Sequence, residues 1–464
     1  MIDQDDLGVS TGEKIDAIFA MPELYETKRL FNLVGGGRPR IFPIWLFVAM
    51  VMLNDIYRGG RTAATEMSHP REWNNIREAA ARNGHHLPLK APHRTWFLVT
   101  RKRLLTPQIQ RKLDELELAL NLRIAEEVGV FDTDVVALYG DGKVQQGTYS
   151  TAPGDTRTIK CVDENGESFE VTVPVKNFDP DAKVHITGDS RVVVGVKFVR
   201  LYMRIPKTHG RVPLLVAWVP DEKGQSNSEM DIAMALIRRV LEREPRITHL
   251  VYDTALHGVH RDELQRRYGV TTVAPITAKK VNKKTRERTE KGGHLTTVSF
   301  DYGNGDTQDV EVTYLGAWLC QQIITDDGTV LDERLKKLAN LWRTNEDGTH
   351  RSYVQYQVPC PRGLQKPKLI RERAYNNDED RARGFNRAEN ILLAPPGCDE
   401  YEGLYHGRSD AENANFMSDE QLHRERARSL GAQRQHFDLW GHSFVQAAVA
   451  LHRYGHLGRR RTAA

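Results

Sequence analysis

The stretch that most restricts how this chain can fold runs from Val135 to Ile276. Two β-branched apolar runs stand close together in it, Arg191–Ile205 (RVVVGVKFVRLYMRI) and Val212–Val219 (VPLLVAWV). Their composition and spacing predict a pair of antiparallel strands. An earlier β-rich run, Val135–Lys143 (VVALYGDGK), predicts a first strand, and 156–176 predicts a hairpin. Downstream, Met230, Ala233, Met234 and Ile237 recur at helical spacing within Glu229–Leu241, which predicts a helix whose apolar face is core. A short run ending in Asp253, a helix over 259–267 and a strand over Val270–Ile276 follow. The order β-β-β-α-β-α-β predicts an α/β mixed sheet with flanking helices.

Two of these strands deliver an aspartate. Asp141 lies in Gly140-Asp141-Gly142, and Asp253 in DTALHG. Acids at the C-terminal ends of buried strands occupy the place where open α/β sheets carry their sites, although aspartate is also a common turn residue. A third acid, Glu412, lies in YEGLYHGRSDAENANFMSD. Tyr405, Arg408 and Glu412 stand three and then four residues apart, which predicts one face of a helix. Taken alone, that face also reads as a surface Arg–Glu pair.

Together, Asp141, Asp253 and Glu412 resemble the three acids of DDE transposases, whose catalytic core is RNase H-like. The likeness is to the insertion-sequence group with a Tyr-x2-Arg-x3-Glu-x6-Lys signature; Asp419 stands at the lysine position. The resemblance spans roughly residues 130–450. It implies a β-rich insertion between the second and third acids, and two Mg²⁺ ions, replaceable by Mn²⁺, held by Asp141, Asp253 and Glu412. Asp141 would bridge the two ions. It further implies that Tyr405 and Arg408 hold a DNA end, that Trp318 or Trp342 offers a stacking surface for a flipped base, and that the chain works as a homodimer on double-stranded DNA. The implied activity is cleavage of a mobile element's ends and their joining to target DNA. An RNase H-like nuclease without strand transfer, or a domesticated DNA-binding protein without activity, are the alternatives. Hard oxygen ligands suit Mg²⁺, and paired divalent ions suit in-line phosphodiester displacement.

At 464 residues the chain is long enough for several domains. The boundaries read as a helical, DNA-binding region over 1–130, a first part of the catalytic core over 131–277, an insertion over 278–397, C-terminal core helices over 398–457 and a basic tail over 458–464. A net charge of +4 decides little, so the placement of cations matters more. In the N-terminal region, Arg101, Lys102 and Arg103 lie on a predicted helix, His93–Leu105, and are candidate DNA contacts. Lys279, Lys280, Lys283 and Lys284 open the insertion in KKVNKKTRERTEK and are candidate phosphate contacts. Within the insertion, Asp332–Trp342 predicts a helix, Tyr353–Val358 a strand and Arg362–Arg387 an irregular basic stretch.

The apolar run Ile41–Leu53 is too short to span a bilayer and predicts a buried core helix. The acidic, polar N-terminus is no signal peptide, and the four scattered cysteines show no zinc spacing. A cytoplasmic protein, nucleoid-associated when bound to DNA and without a membrane partner, is expected.

Overall fold

The computed structural model describes residues 9–30, 41–57, 64–162, 168–186, 191–208, 210–219, 228–276, 279–281, 288–325, 327–409, 415, 426–427 and 429–459. The chain is a mixed α/β protein that divides into two compact units. One comprises residues 1–134, 140–240 and 410–464; the other comprises 135–139 and 241–409.

The first unit begins with helices α1 (Thr11–Ala20), α2 (Pro22–Leu30), α3 (Ile44–Ile56), α4 (Pro70–Arg82), α5 (Arg94–Leu104) and α6 (Pro107–Glu127). Ser10 and Glu13 close a capping box on α1. The Thr106 hydroxyl accepts the Ile109 amide, and Pro107 fills the first turn of α6, where its missing N–H costs nothing. Helix α3 is buried all round from Trp45 to Asp55, as its unbroken apolar sequence requires.

Strand β1 (Ala137–Gln146) passes from one unit into the other. In the first unit its far end runs beside β5 (Val192–Arg204), where Gly147 N–H donates to Val194 O at 2.8 Å. A hairpin, β2 (Thr156–Val162) with β3 (Ser168–Pro174), and β4 (Lys183–Ile186) lie between them in sequence. Strand β4 pairs antiparallel with β5; β5 pairs antiparallel with β6 (Arg211–Trp218), as the two apolar runs predict. Helix α7 (Glu229–Arg243) follows.

In the second unit, residues 137–139 of β1 pair in parallel with β7 (His249–Val251), Ala137 opposite His249 and Tyr139 opposite Val251. Strand β7 pairs in parallel with β8 (Thr271–Val273), and α8 (Gly258–Tyr268) makes the crossover. Gly269, at φ +68°, ends α8 in the left-handed region that glycine tolerates. The strand predicted over Val270–Ile276 is shorter than expected, Thr271–Val273.

A β-rich segment then runs through β9 (Lys279–Val281), β10 (Arg288–Glu290), β11 (Gly292–Asp301), β12 (Thr307–Leu315), β13 (Trp318–Ile324), β14 (Val330–Arg334), β15 (Lys336–Thr344), β16 (His350–Val358) and β17 (Lys368–Arg373). The helix predicted over Asp332–Trp342 is instead the end of β14 and most of β15. Strand β15 finds its partner in β16, from Lys336 opposite Gln357 to Thr344 opposite His350. The stretch Arg362–Arg387, predicted irregular, contains β17 and helix α9 (Asp378–Ala382). Phe300, Val312, Leu319, Val354 and Tyr356 pack a common core beneath these strands. Burial of each such side chain contributes about 1.5–3 kcal/mol. Short helices α10 (Arg387–Asn390) and α11 (Asp399–Tyr405) close the unit.

The chain ends in the first unit with α12 (Ala432–Arg459). It packs on α3, α6 and β6. At Gly441 a Cβ would stand 2.8 Å from Val51, so only glycine lets α12 approach α3 this closely. Buried Asp55 and His442 hydrogen-bond across the same contact at 2.9 Å.

Candidate functional site

Asp141 lies on β1, the strand that Val135–Lys143 predicts, but inside it rather than at its end. Gly140-Asp141-Gly142 was expected to end the strand, yet the strand continues to Gln146. Gly142 has a different use: a Cβ there would collide with the Glu229 carboxylate from the first turn of α7, which is ion-paired with Lys197. Asp141 is buried, and its Oδ2 accepts a hydrogen bond from Asn415 Nδ2 at 2.7 Å. Two residues along the strand, and so on the same face, Lys143 Nζ donates to the Asn415 backbone carbonyl at 3.0 Å.

Asn415 is 5% exposed, and its Oδ1 is buried without a hydrogen-bond partner among the described residues. An orphaned buried acceptor costs about 1–3 kcal/mol. A carboxylate beside an unsatisfied amide oxygen is a donor set of hard oxygens, which fits a divalent cation such as Mg²⁺. On β5, Arg200 and Tyr202 belong to the electrostatic surroundings of Asp141. Burial, opposed by Arg200 and reinforced by the Asp141 charge, holds the Tyr202 hydroxyl proton more tightly than usual.

In the second unit, Asp253 stands just past β7, at the C-terminal end of the parallel strands, as expected. It is half-buried, and its Oδ1 accepts from Ala255 N at 2.8 Å, which shapes the turn into α8. Fully buried Arg261 pins that turn: its Nε donates to Leu256 O at 3.1 Å and its Nη2 to Pro275 O at 3.2 Å. Burial lowers the Arg261 pKa to about 10.

Tyr405 and Arg408 come together as their spacing predicts. Arg408 Nη1 lies 3.5 Å from the Tyr405 hydroxyl, and its guanidinium stands 5.9 Å from the ring centre. Tyr401 stacks on the Tyr405 ring, centroids 4.9 Å apart. The single helix expected through both residues is interrupted, however. Helix α11 ends at Tyr405, and helical structure resumes at Arg408. Between them Gly407 lies against β1, where a Cβ would stand 2.8 Å from the Tyr139 hydroxyl. At the start of α11, Glu400 hydrogen-bonds His249 Nε2 of β7 at 3.0 Å, Lys337 Nζ of β15 at 3.1 Å and Asn340 Nδ2 at 3.0 Å.

Other predicted residues fall differently. Glu412, Asp419, Lys283 and Lys284 lie outside the described residues; Lys279 and Lys280 lie on β9. Arg101 is not an exposed DNA contact. It pairs with Asp438 at 3.1 Å and donates to Ser429 Oγ at 2.7 Å, which leaves its side chain 12% exposed, whereas Lys102 and Arg103 face solvent. Trp318 is a core residue whose Nε1 donates to Pro396 O at 2.9 Å; Trp342 is partly exposed.

Sequence reasoning missed Asn415, Glu229 and Glu400, whose contacts join segments far apart in sequence, and Arg261, which closes the turn between Leu256 and Pro275. Among the described residues, no group of three or more His, Cys, Asp or Glu side chains is placed to hold a metal, and no helix is long and apolar enough to cross a membrane. No protein-family model matches the chain, and no curated protein matches it either.

Proposed function

We propose that this chain is a DDE-type DNA transposase with an RNase H-like core, acting as a homodimer on double-stranded DNA in the cytoplasm. The observation that carries the reading is the hydrogen bond from Asn415 to Asp141. Through it, the segment that follows Glu412 in sequence is tied to the first predicted acid, and beside that acid stands an amide oxygen that no described residue satisfies. Asp141, Asp253 and Glu412 are the residues that would hold two Mg²⁺ ions. When bound, the metal supplies positive charge that stabilises the attacking and leaving oxygens of phosphodiester exchange.

The protein's own groups do the rest. Lys143 and Asp141 orient Asn415, and Asp141 is kept from bulk water by burial. The planar guanidinium of Arg408, backed by the Tyr405 ring, offers paired N–H donors to a phosphate of the element end. In the first reaction, water adds to phosphorus and the 3′ oxygen leaves as a hydroxyl. In the second, that hydroxyl attacks a target phosphorus and the target's 3′ oxygen departs. Electrostatic stabilisation of the charge that develops is the main rate factor in such sites.

A supercoiled plasmid carrying candidate element ends, incubated with the protein and Mn²⁺, tests this. Nicked and joined products are expected, and both are expected to vanish with Asp141→Asn. Cleavage without joining supports a nuclease instead, and binding with no cleavage supports an inactive DNA-binding protein.

A further inference from the structure

The three-stranded sheet of β15, β16 and β17 has two unlike faces. Its inward residues, Val354, Tyr356 and Val358, belong to the core of the β-rich segment. The alternation of the strands assigns the other face by register. Arg343 stands directly opposite Arg351, Arg371 opposite Gln355, Arg373 opposite Tyr353, and Lys336 opposite Gln357. The three strands contain one acid, Glu372. It sits opposite buried Val354, on the inward side, and pairs with Arg387 at 3.3 Å.

The outward face is therefore cationic with no carboxylate of its own. Arg373 reaches Asp380 at 3.6 Å. Among the described residues, Lys336, Arg343, Arg351 and Arg371 form no ion pair with an acid. Like charges directly across two strands repel and cost stability. Asp347, in the turn that joins β15 to β16, is an acid whose charge Arg351 meets; directly across the strands the Arg343–Arg351 pair has no carboxylate to offset that cost. Aromatic rings border the same face: Tyr353 meets Tyr375 edge-on at 6.0 Å, and the Arg266 guanidinium lies 5.9 Å from the Tyr375 ring. From the Arg351 row to the Gln357 row is ~20 Å of strand, a span of about six base-pair steps.

We propose that this sheet face binds the phosphate backbone of duplex DNA. Arginine is the cation suited to paired contacts with phosphate oxygens. Gln355 and Gln357 add neutral polar groups, and the repulsion between Arg343 and Arg351 is relieved when a polyanion lies across them. The choice of DNA as partner rests on the transposase reading, but the contact does not involve the acids. It is measured in EDTA, where no strand is cut, so the two readings fail separately.

The test is equilibrium binding of a fluorescent duplex of arbitrary sequence by the full chain, over a KCl titration. The triple variant Arg343→Gln, Arg351→Gln, Arg371→Gln is expected to lose about 2–3 from the slope of log K against log salt, at roughly 0.9 per phosphate contact. The Arg→Lys triple keeps the charges and most of the slope. An unchanged slope in the Gln variant, with folding verified by circular dichroism, overturns the proposal. So does a loss confined to binding of phosphatidylserine vesicles. Should the triple variant not fold, the single Arg371→Gln carries the test, with a slope lower by about 1.

Discussion

Asp114 on α6 and His436 on α12 are buried side by side, Oδ1 and Nε2 3.6 Å apart, and they pull stability in opposite directions with pH. Burial raises the Asp114 carboxyl to about 7, with Arg239 opposing and Glu115 adding to the rise. The folded protein keeps a proton that the unfolded chain releases above the ordinary 3.8, so this group's stability contribution falls as pH rises from 3.8 to about 7. Burial lowers His436 to about 4. There the unfolded chain takes up the proton first, and stability is lost as pH falls from 6.5 toward 4. Asp114→Asn is expected to stabilise the protein at pH 8 by about 1–4 kcal/mol and to leave it unchanged at pH 4, read from melting temperatures across that range. At the site itself, Asn415→Ala removes one orphaned oxygen and one donor to Asp141. It is expected to weaken Mn²⁺ binding by about 10–100-fold, measured calorimetrically without DNA. Nothing in the sequence marks Asn415. A lone asparagine carries no periodicity, and its meaning comes from Asp141, which is remote in the chain. Tyr405 and Arg408 were legible because both partners lie within one local stretch.

At the scale of the element, legibility followed how much each segment depends on distant neighbours. Helix α3 could be read from an apolar run that no strand of ordinary length would need. Strand β15 could not. Leu335, Leu338 and Leu341 stand at helical spacing among good helix formers, and only pairing with β16 turns the segment into a strand. The end of β1 was hidden for a related reason. Two glycines beside an aspartate read as a turn, whereas Gly142 admits a carboxylate from α7. Helix α5 shows what such distant contacts do to function. Its three consecutive cations are not equivalent, because Arg101 joins α5 to α12 through Asp438. Arg101→Ala leaves the 9%-exposed Asp438 side chain without its guanidinium and is expected to cost about 2–5 kcal/mol in urea unfolding. Lys102→Ala with Arg103→Ala is expected to change stability by less than about 0.5 kcal/mol while weakening DNA binding. Equal destabilisation by the two sets would place Arg101 at the surface with its neighbours.

Across the whole molecule, cations and anions nearly cancel, so binding and chemistry depend on where charge is gathered rather than on its sum. That separates two properties that a single substitution can uncouple. Glu412→Gln keeps the size of the side chain and one acceptor oxygen but loses the charge that attracts a divalent cation. If Glu412 is the third acid, the variant folds with an unchanged melting temperature in EDTA, because no metal is then present to miss it. Its affinity for DNA in EDTA is equal to or above that of the unmodified protein, since a negative charge near phosphate has been removed and the basic segments remain. Strand cleavage falls by at least about 10²-fold, because charge stabilisation acts mainly in the transition state. Nicking of an end-containing duplex over a Mn²⁺ titration reads the chemistry, and a gel shift of the same protein in EDTA reads the binding. Full cleavage by the variant makes Glu412 only the partner of Arg408 in a surface pair. Loss of folding together with binding makes it a structural acid. Only intact binding with lost cleavage agrees with three acids serving one metal-dependent reaction.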